Sequence, residues 1–416
     1  QLLRAMDGTT AAGRLRERFA PDRSADEFAA LLDRFRAAGL LRGAERRPPG
    51  RLAYRPPLTL QLATLRAPAL FSRLDAVLRP LARRIPLRPV VILVAAGWCA
   101  LVAQAADAWT AMTTPLPLLD LLVVSAALLG ATLLHEVAHG LALTRRGPLP
   151  RRAGVMLLYL APAFFVDVTS AWRLPGRRGR VAVALAGPAV HAVVVAACGL
   201  IAAIVGDPGA RRTLLVLACA CAGVVALNLL PFVRFDGYIA LMSALDEPDL
   251  RSRAIQDAAA AVRRRLFGGP RAPRRLHRRW SVPFGLASVV VPAVLVVWGL
   301  ARLVSGLSGA GVGGALLVLG IEAVVGIVLA VAAVGGLARV ARSGVRRVRF
   351  FGVVLTLVAL LTVLASVITV PVSRDVGFVR ADGTVRLVDA APPGVDPLLP
   401  AGCPVTLTTR GLVADV

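Results

Sequence analysis

Long apolar runs alternate with arginine-rich segments over most of the chain from residue 89 onward. Seven of these runs are long enough for an α-helix to cross the hydrocarbon core of a bilayer, which takes about 20 apolar residues. The pattern therefore predicts a mainly α-helical, polytopic membrane protein of about seven transmembrane helices. The predicted spans are residues 89–109, 116–143, 181–204, 213–233, 282–303, 313–338 and 350–370.

Residues 1–56 are polar and predict a small soluble domain ahead of the spans. One helix is expected to close at Gln1–Met6, and a second, capped by Thr9 or Thr10, is expected to run through Phe19. The capping box Ser24-x-x-Glu27 opens a third helix. A Pro- and Gly-containing turn then leads into a short strand at 52–54. Helices followed by such a strand predict a winged-helix unit, and a generic helical cap is the open alternative.

The same stretch, LLRAMDGTT…LRERF…FAALLDRFRAAGLL, resembles the PqqD-like recognition domains that bind leader peptides of ribosomally made, modified peptides. The resemblance covers about a tenth of the chain. It implies that residues 1–56 bind the leader of a precursor peptide.

Three further segments carry their own patterns outside the spans. Residues 57–88 mix apolar residues with arginines, which predicts an amphipathic helix in the cytoplasmic headgroup layer. Residues 154–168 are apolar but too short to cross a membrane, so a re-entrant hairpin or short strands beside a wet cavity are expected, with a surface loop as the alternative. In the tail, 371–416, a hairpin signal at 381–384 predicts a small β structure.

Composition narrows the class of protein and its partners. Of 416 residues, 57% are hydrophobic and the mean hydropathy is +0.71, which excludes an ordinary soluble globule. The net charge is +25, and all of the basic side chains counted in it are arginines. Because the arginines lie between the apolar runs, they indicate lipid headgroups rather than nucleic acid as the partner. Their distribution predicts a cytoplasmic N-terminus and an extracytoplasmic C-terminus in a cell membrane.

The candidate chemistry is concentrated in His135-Glu136-Val137-Ala138-His139, inside the second predicted span. On a helix the two histidines lie one turn apart on one face, so both imidazoles can bind one metal ion. Glu136 lies beside them, where its carboxylate can take a proton from a water on that metal. A chance match on a solvated helix is the alternative, but three ionisable residues in an apolar span are costly without a function.

A catalytic zinc site needs a third protein ligand and one open position. Asp236 is the best candidate, because it lies at the same expected membrane depth as His139, at the end of the fourth span. Pro231 ends the preceding helix, and Gly237 allows a sharp backbone turn at the ligand.

HEVAHG together with N-x-x-P-x-x-x-x-D-G resembles the motif pair of the site-2 protease family of intramembrane zinc metalloproteases, over about residues 90–240. Within that family the chain looks most like the bacterial peptide zinc metalloproteases found beside modified-peptide gene clusters, including those for daptides. The resemblance implies that His135, His139 and Asp236 bind Zn²⁺ and that Glu136 is the catalytic base. It also implies that Asn228 orients the ligand segment or contacts substrate.

Other polar residues in apolar surroundings have open roles. His191 replaces the Asn that many relatives carry after Ala-Gly-Pro, and it is a structural hydrogen-bonding residue, a donor to the oxyanion or a rival ligand. Asp167 is a hydrogen-bonding partner of a ligand histidine, a substrate contact or a weaker third-ligand candidate. Glu322, alone in the sixth span, is functional or pairs with an arginine such as Arg302.

The leading hypothesis is a membrane zinc endopeptidase that removes the leader of a modified precursor peptide, working with biosynthetic partner enzymes. The alternatives are a protease that cuts a membrane-anchored signalling protein and a non-proteolytic peptide-binding or export accessory with a structural metal. An intact Glu136 argues against the accessory. The predicted domains are 1–56 (winged-helix or PqqD-like), 57–88 (interfacial), 89–240 (catalytic core), 241–281 (basic cytoplasmic loop), 282–370 (additional transmembrane helices) and 371–416 (β tail).

Overall fold

The computed structural model describes residues 2, 6, 10–37, 50–55, 59–158, 161–268, 273–307, 311–342, 345–367, 377–381 and 384–388, and these are mainly helical. They form two compact units, residues 1–74 with 149–168 and residues 75–148 with 169–416. The helices are α1 (Ala12–Phe19), α2 (Ala25–Ala37), α3 (Ala67–Arg84), α4 (Leu87–Ala103), α5 (Ala105–Thr113), α6 (Leu118–Thr144), α7 (Arg177–Ile204), α8 (Pro208–Leu229), α9 (Asp236–Leu245), α10 (Leu250–Phe267), α11 (Ser281–Leu307), α12 (Gly311–Ala341) and α13 (Arg347–Val367). The strands are β1 (Leu52–Arg55), β2 (Thr59–Thr64), β3 (Ala153–Leu158), β4 (Ala161–Val166), β5 (Gly377–Ala381) and β6 (Thr384–Val388), and Thr169–Arg173 is a 3₁₀ helix.

The first unit contains the second and third of the predicted helices as α1 and α2, and the helix expected at Gln1–Met6 lies largely outside the described residues. The capping box is confirmed, since the Ser24 N–H donates to Glu27 Oε2 at 3.0 Å and the Glu27 N–H donates to Ser24 Oγ at 3.2 Å. These two bonds satisfy N–H groups that the first turn of α2 leaves without helical partners. The expected strand at 52–54 is present as β1.

A four-stranded antiparallel sheet, in the order β1-β2-β3-β4, completes the first unit. The apolar segment 154–168 forms its β3–β4 hairpin, which confirms the short strands expected there. Residues 59–64 do not belong to an interfacial helix as expected for 57–88, because they form β2. Their side chains alternate strictly between buried and exposed, and β2 gains hydrogen-bonded neighbours on both sides. The helix expected in this segment is present as α3, which begins at Ala67.

Arg152 is the polar centre of this sheet unit, with only 1% of its surface exposed. Its guanidinium donates to Gln61 Oε1 and to the Gly50 carbonyl oxygen, each at 3.2 Å. It also lies over the Phe165 ring, 5.8 Å from the ring centroid. These contacts explain why Gln61 is buried on β2, since a buried guanidinium needs acceptors.

The second unit contains the candidate membrane spans. Among the described residues, five helices are long and apolar enough to cross a membrane, and a sixth span results if α3 and α4, bent by 86°, count as one. The five are α6, α7, α8, α11 and α12, where the sequence predicts its second to sixth spans. The expected first span, 89–109, is interrupted at Gln104 between α4 and α5. The expected seventh is present as helix α13 but is not among the five.

Helix α7 is the most enclosed of the five spans. A Cβ on Gly97 of α4 would lie 2.3 Å from the Cα of Ala196, so α4 and α7 touch backbone to backbone at this crossing. The Trp98 indole on α4 donates to the Ala192 carbonyl oxygen of α7 at 3.1 Å. Close packing of this kind between membrane helices depends on small residues. It holds α7 in place against its neighbours.

Asp75 anchors α3 to the end of α6, outside the five spans. Its carboxylate accepts from Arg145 Nε at 3.0 Å and from Arg79 Nε at 3.1 Å. Burial acts to raise the pKa of Asp75, but the hydrogen bonds and charges of Arg145 and Arg79 outweigh it and hold the pKa below its ordinary value. The carboxylate is therefore ionised and paired.

The C-terminal tail contains the hairpin that the sequence predicts. β5 and β6 pair antiparallel, with Phe378 opposite Leu387 and Val379 opposite Arg386. The turn between them and the rest of the tail lie outside the described residues.

Candidate metal centre

Three ligand atoms from α6 and α9 meet in the second unit. His135 Nε2 lies 3.1 Å from His139 Nε2, and Asp236 Oδ2 lies 3.1 Å and 3.3 Å from these two nitrogens. Both histidines are buried and Asp236 is half-buried. This group could hold a metal ion. The sequence prediction that an aspartate far along the chain joins the two histidines is confirmed in its geometry.

Helix α6 aims both imidazoles at one point because they lie one turn apart. His139 Nδ1 lies 2.7 Å from the Val183 carbonyl oxygen of α7. A carbonyl oxygen only accepts, so Nδ1 carries the hydrogen and Nε2 of the neutral ring keeps its lone pair. The lone pair faces His135 and Asp236, which is the tautomer that a metal ligand requires.

Gly187 of α7 forms the wall behind the two imidazoles. A Cβ at this position would lie 2.3 Å from His139 Nε2 and 2.4 Å from His135 Nε2. Any side chain here would occupy the space next to the ligand nitrogens. The Ala-Gly-Pro sequence therefore contributes room for the ligand group, a role that the sequence analysis did not assign.

Asp236 reaches the site because α9 begins with it, directly after the turn that ends α8. A Cβ on the next residue, Gly237, would lie 2.4 Å from the Leu229 carbonyl oxygen, so only glycine lets the first turn of α9 pack against the end of α8. The expected reason for this glycine, a sharp backbone turn, is wrong. Gly237 is not among the residues of positive φ, and close packing requires it instead.

The charge of Asp236 is stabilised by its neighbours. Burial acts to raise the pKa of its carboxyl, but the hydrogen bonds and charges of His135 and His139, whose protonated rings give up a proton when a cation binds, outweigh it and lower the pKa to about 2. Asp236 is therefore a carboxylate at neutral pH, the form that binds a cation.

Arg251 of α10 holds the turn that precedes Asp236. Its Nε donates to the Phe232 carbonyl oxygen at 2.9 Å, and a second guanidinium nitrogen donates to the Ser288 carbonyl oxygen of α11 at 2.8 Å. Its backbone N–H donates to the Tyr238 hydroxyl of α9 at 3.2 Å. Arg251 thus connects the turn to α11 through its side chain, and it contacts α9 through its backbone.

Comparison of the chain with known protein families, with curated proteins and with solved structures found no match. The resemblance to site-2 proteases therefore stays a prediction from two sequence motifs. The geometry of His135, His139 and Asp236 is an observation separate from that resemblance.

Two further residues of the predicted site, Glu136 and His191, lie on the helices that form the ligand group and its wall. Glu136 is half-buried on α6 between the two histidines. His191 of α7 is fully buried, with its ring centroid 5.3 Å from that of His135. Among the described residues, neither ring nitrogen of His191 has a hydrogen-bond partner, nor does His135 Nδ1. His191 is also not a member of the ligand group.

Asn228 and Asp167 are not members of the ligand group found in the described residues. The Asn228 amide donates to the Val224 carbonyl oxygen of its own helix at 3.0 Å, and no bond from it to the ligand segment occurs among the described residues. Asp167 follows β4 in the first unit, where its N–H donates to the Arg152 carbonyl oxygen at 2.8 Å. It is not part of the ligand group found in the described chain.

Glu322 of α12 is exposed. It lines a cavity of about 420 Å³ between α11 and α12, whose other walls are mainly apolar. Within the described residues it forms no ion pair, so the expected pairing with Arg302 is not observed.

Proposed function

We propose that the chain is a membrane zinc metalloendopeptidase of the site-2 protease type. The observation that supports this most is the triangle of ligand atoms formed by His135, His139 and Asp236. Two imidazole nitrogens and one carboxylate oxygen are a donor set that zinc prefers.

The spacing of the triangle fits that metal. Ligand atoms placed about 2.0–2.1 Å from zinc at tetrahedral angles lie about 3.3 Å from one another. The three distances here are 3.1, 3.1 and 3.3 Å. No fourth His, Cys, Asp or Glu joins the group among the described residues. Catalytic zinc sites have three protein ligands and keep the fourth position for water or substrate, whereas structural sites fill it.

Zinc held there would polarise a peptide carbonyl and lower the pKa of a water molecule. Glu136, which follows His135 on α6, would accept the proton of the attacking water and deliver it to the leaving amine. The Val183 carbonyl oxygen keeps His139 in its metal-binding tautomer throughout. The ligand group stays open to solvent at Asp236, whose side chain is 21% exposed.

His191 is proposed to donate a hydrogen bond to the oxygen of the carbonyl under attack. Its support is a fully buried ring, without partners among the described residues, beside a ligand histidine. A buried donor without a partner costs free energy, and a substrate oxygen would satisfy it. His191→Asn should keep part of the activity because the amide is also a donor, whereas His191→Leu should lose it with unchanged zinc content. Equal activity of the two variants would count against this role.

The substrate is proposed to be a precursor peptide whose leader is removed, and this rests on the N-terminal resemblance to leader-binding domains. A helical substrate has its amides shielded, so the scissile segment must be extended. Strand pairing with residues 154–168 would hold an extended substrate by main-chain hydrogen bonds, and β4 is the last strand of the sheet in the described residues. Deleting residues 1–56 should abolish precursor binding, and unchanged affinity would contradict leader recognition.

Substitution of Glu136 tests the enzymatic proposal directly. Glu136→Gln should retain equimolar zinc, measured by mass spectrometry of the purified protein, and lose cleavage of a fluorescently labelled precursor peptide. His139→Ala should lose both zinc and cleavage. Asp120→Asn, a carboxylate change in the first turn of the same helix, is the matched control and should keep both. Cleavage that survives Glu136→Gln would refute the mechanism, and zinc that survives His139→Ala would refute the site.

A further inference from the structure

A polar cavity lies between α10 and the start of α11, and it shares no residue with the metal centre. Its volume is about 420 Å³. Two arginines line it, Arg264 on α10 and Arg274 on the segment that leads into α11, together with Asp257 and Val282. Both arginines are exposed, and in the described part of the chain neither guanidinium has a hydrogen-bond or ion-pair partner. The cavity therefore presents two available cations.

The carboxylate in this cavity is already engaged. Asp257 is 5% exposed, and its two oxygens accept from the backbone N–H groups of Arg275 at 2.7 Å and Leu276 at 3.1 Å. It thereby fixes the segment that carries Arg274, and Leu276 is fully buried beside it. A buried carboxylate with two backbone donors is a structural clamp, and it leaves the two guanidinium groups to define the binding chemistry.

The cavity opens at the level where a candidate membrane span begins. Val282 is in the first turn of α11, and the apolar span runs from Ser281 to Val304. α10 is held tightly against this end of the span, because a Cβ on Gly285 would lie 2.1 Å from the Ala254 carbonyl oxygen. The end of a span is where lipid headgroups lie.

We propose that this cavity binds the phosphate group of an anionic phospholipid. A guanidinium donates two parallel N–H bonds to a phosphate, and two guanidinium groups around one cavity recognise a single phosphodiester. The small residues Ala260 and Ala261 on the α10 wall leave room for the headgroup. The proposal is independent of zinc and of proteolysis.

Native mass spectrometry of the full-length protein in detergent tests this site, with phosphatidylglycerol and phosphatidylcholine added in separate titrations. We expect phosphatidylglycerol to bind the wild-type chain more tightly. The double variant Arg264→Gln/Arg274→Gln should bind it about 30-fold more weakly, since each arginine near an anionic lipid contributes a factor of about five. The matched control is Arg263→Gln/Arg265→Gln, which removes an equal charge from α10 outside the cavity lining.

Inorganic phosphate distinguishes the two sources of the ligand. If excess phosphate does not displace the lipid, the site recognises the headgroup within the membrane, as proposed. If phosphate alone binds the wild type and the control but not the double variant at Arg264 and Arg274, the phosphate chemistry holds and the lipid source is overturned. Equal loss of lipid in the control and the double variant would mean that only net charge matters, and it would overturn the site.

Discussion

Replacement of Gly187 by alanine is the sharpest test of the metal centre, because it adds one methyl group and removes no ligand. The new Cβ would lie 2.3 Å from His139 Nε2 and 2.4 Å from His135 Nε2. Carbon and nitrogen atoms that are not bonded pack at about 3.5 Å, so each imidazole has to retreat by about 1 Å. Metal–ligand distances tolerate about 0.2 Å. The retreat is therefore several times larger than the site can absorb.

Removing a partner that orients one metal ligand typically weakens metal binding by about 10- to 100-fold. Because Gly187→Ala displaces both imidazoles, we expect it to weaken zinc binding by at least about 100-fold. The measurement is zinc content and competition with a chelator on the purified protein. Alanine raises helix propensity by about 1 kcal/mol over glycine, so loss of helix is not the expected cause. Circular dichroism should show the same helix content as the wild type.

Gly223→Ala is the matched control for this substitution. Gly223 lies in α8, another candidate span, and a Cβ there would meet nothing within 4 Å. It should bind zinc as the wild type does. If Gly187→Ala also bound zinc with wild-type affinity, α7 would not form the wall of a metal centre, and the geometric reasoning would be refuted.

Three further substitutions test other contacts in the second unit. Asp75→Asn should lower the free energy of unfolding by about 2 kcal/mol at neutral pH. Because the pKa of Asp75 is lowered, this stabilisation should be present above the ordinary value of 3.8 and disappear as pH falls through the lowered pKa. Chemical denaturation at several pH values would show this dependence. Asn228→Ala should leave zinc content unchanged, since its amide bonds within its own helix, and a loss of zinc would contradict this. Arg251→Gln should weaken zinc binding about tenfold, measured by chelator competition, because the turn before Asp236 loses its hydrogen bond, and unaltered affinity would show that the turn holds itself.

The elements that sequence alone predicted correctly are those in which one local pattern decides the outcome. Apolar length marked the five candidate spans, and Ser24-x-x-Glu27 marked the start of α2. The spacing of His135 and His139 placed two candidate ligands on one helix face, and the Asp236 motif supplied the third candidate. Each of these depends on residue type and spacing, which a sequence displays directly.

The features that sequence reasoning missed depend on contacts between distant backbone segments. β2 is a strand because β1 and β3 pair with it, although its arginine-rich surroundings indicated an interfacial helix. Val183 sets the His139 tautomer through its backbone carbonyl oxygen. Every residue type carries this group, so the sequence does not mark the position. Arg251 was part of a basic loop with no visible partner, because its acceptors are also backbone carbonyl oxygens.

Helix α7 contributes no member of the ligand group, yet it decides what that group can do. It fixes the tautomer of one ligand through Val183, and at Gly187 it leaves the space in which both Nε2 atoms converge. It also places the His191 ring, whose nitrogens have no hydrogen-bond partner among the described residues, beside His135. Substitutions that disturb such partners of metal ligands cost about 10- to 100-fold in affinity or activity. The ligand motif on α6 is therefore not sufficient by itself, and transplanting it to another membrane helix without the facing surface of α7 should give a weak site.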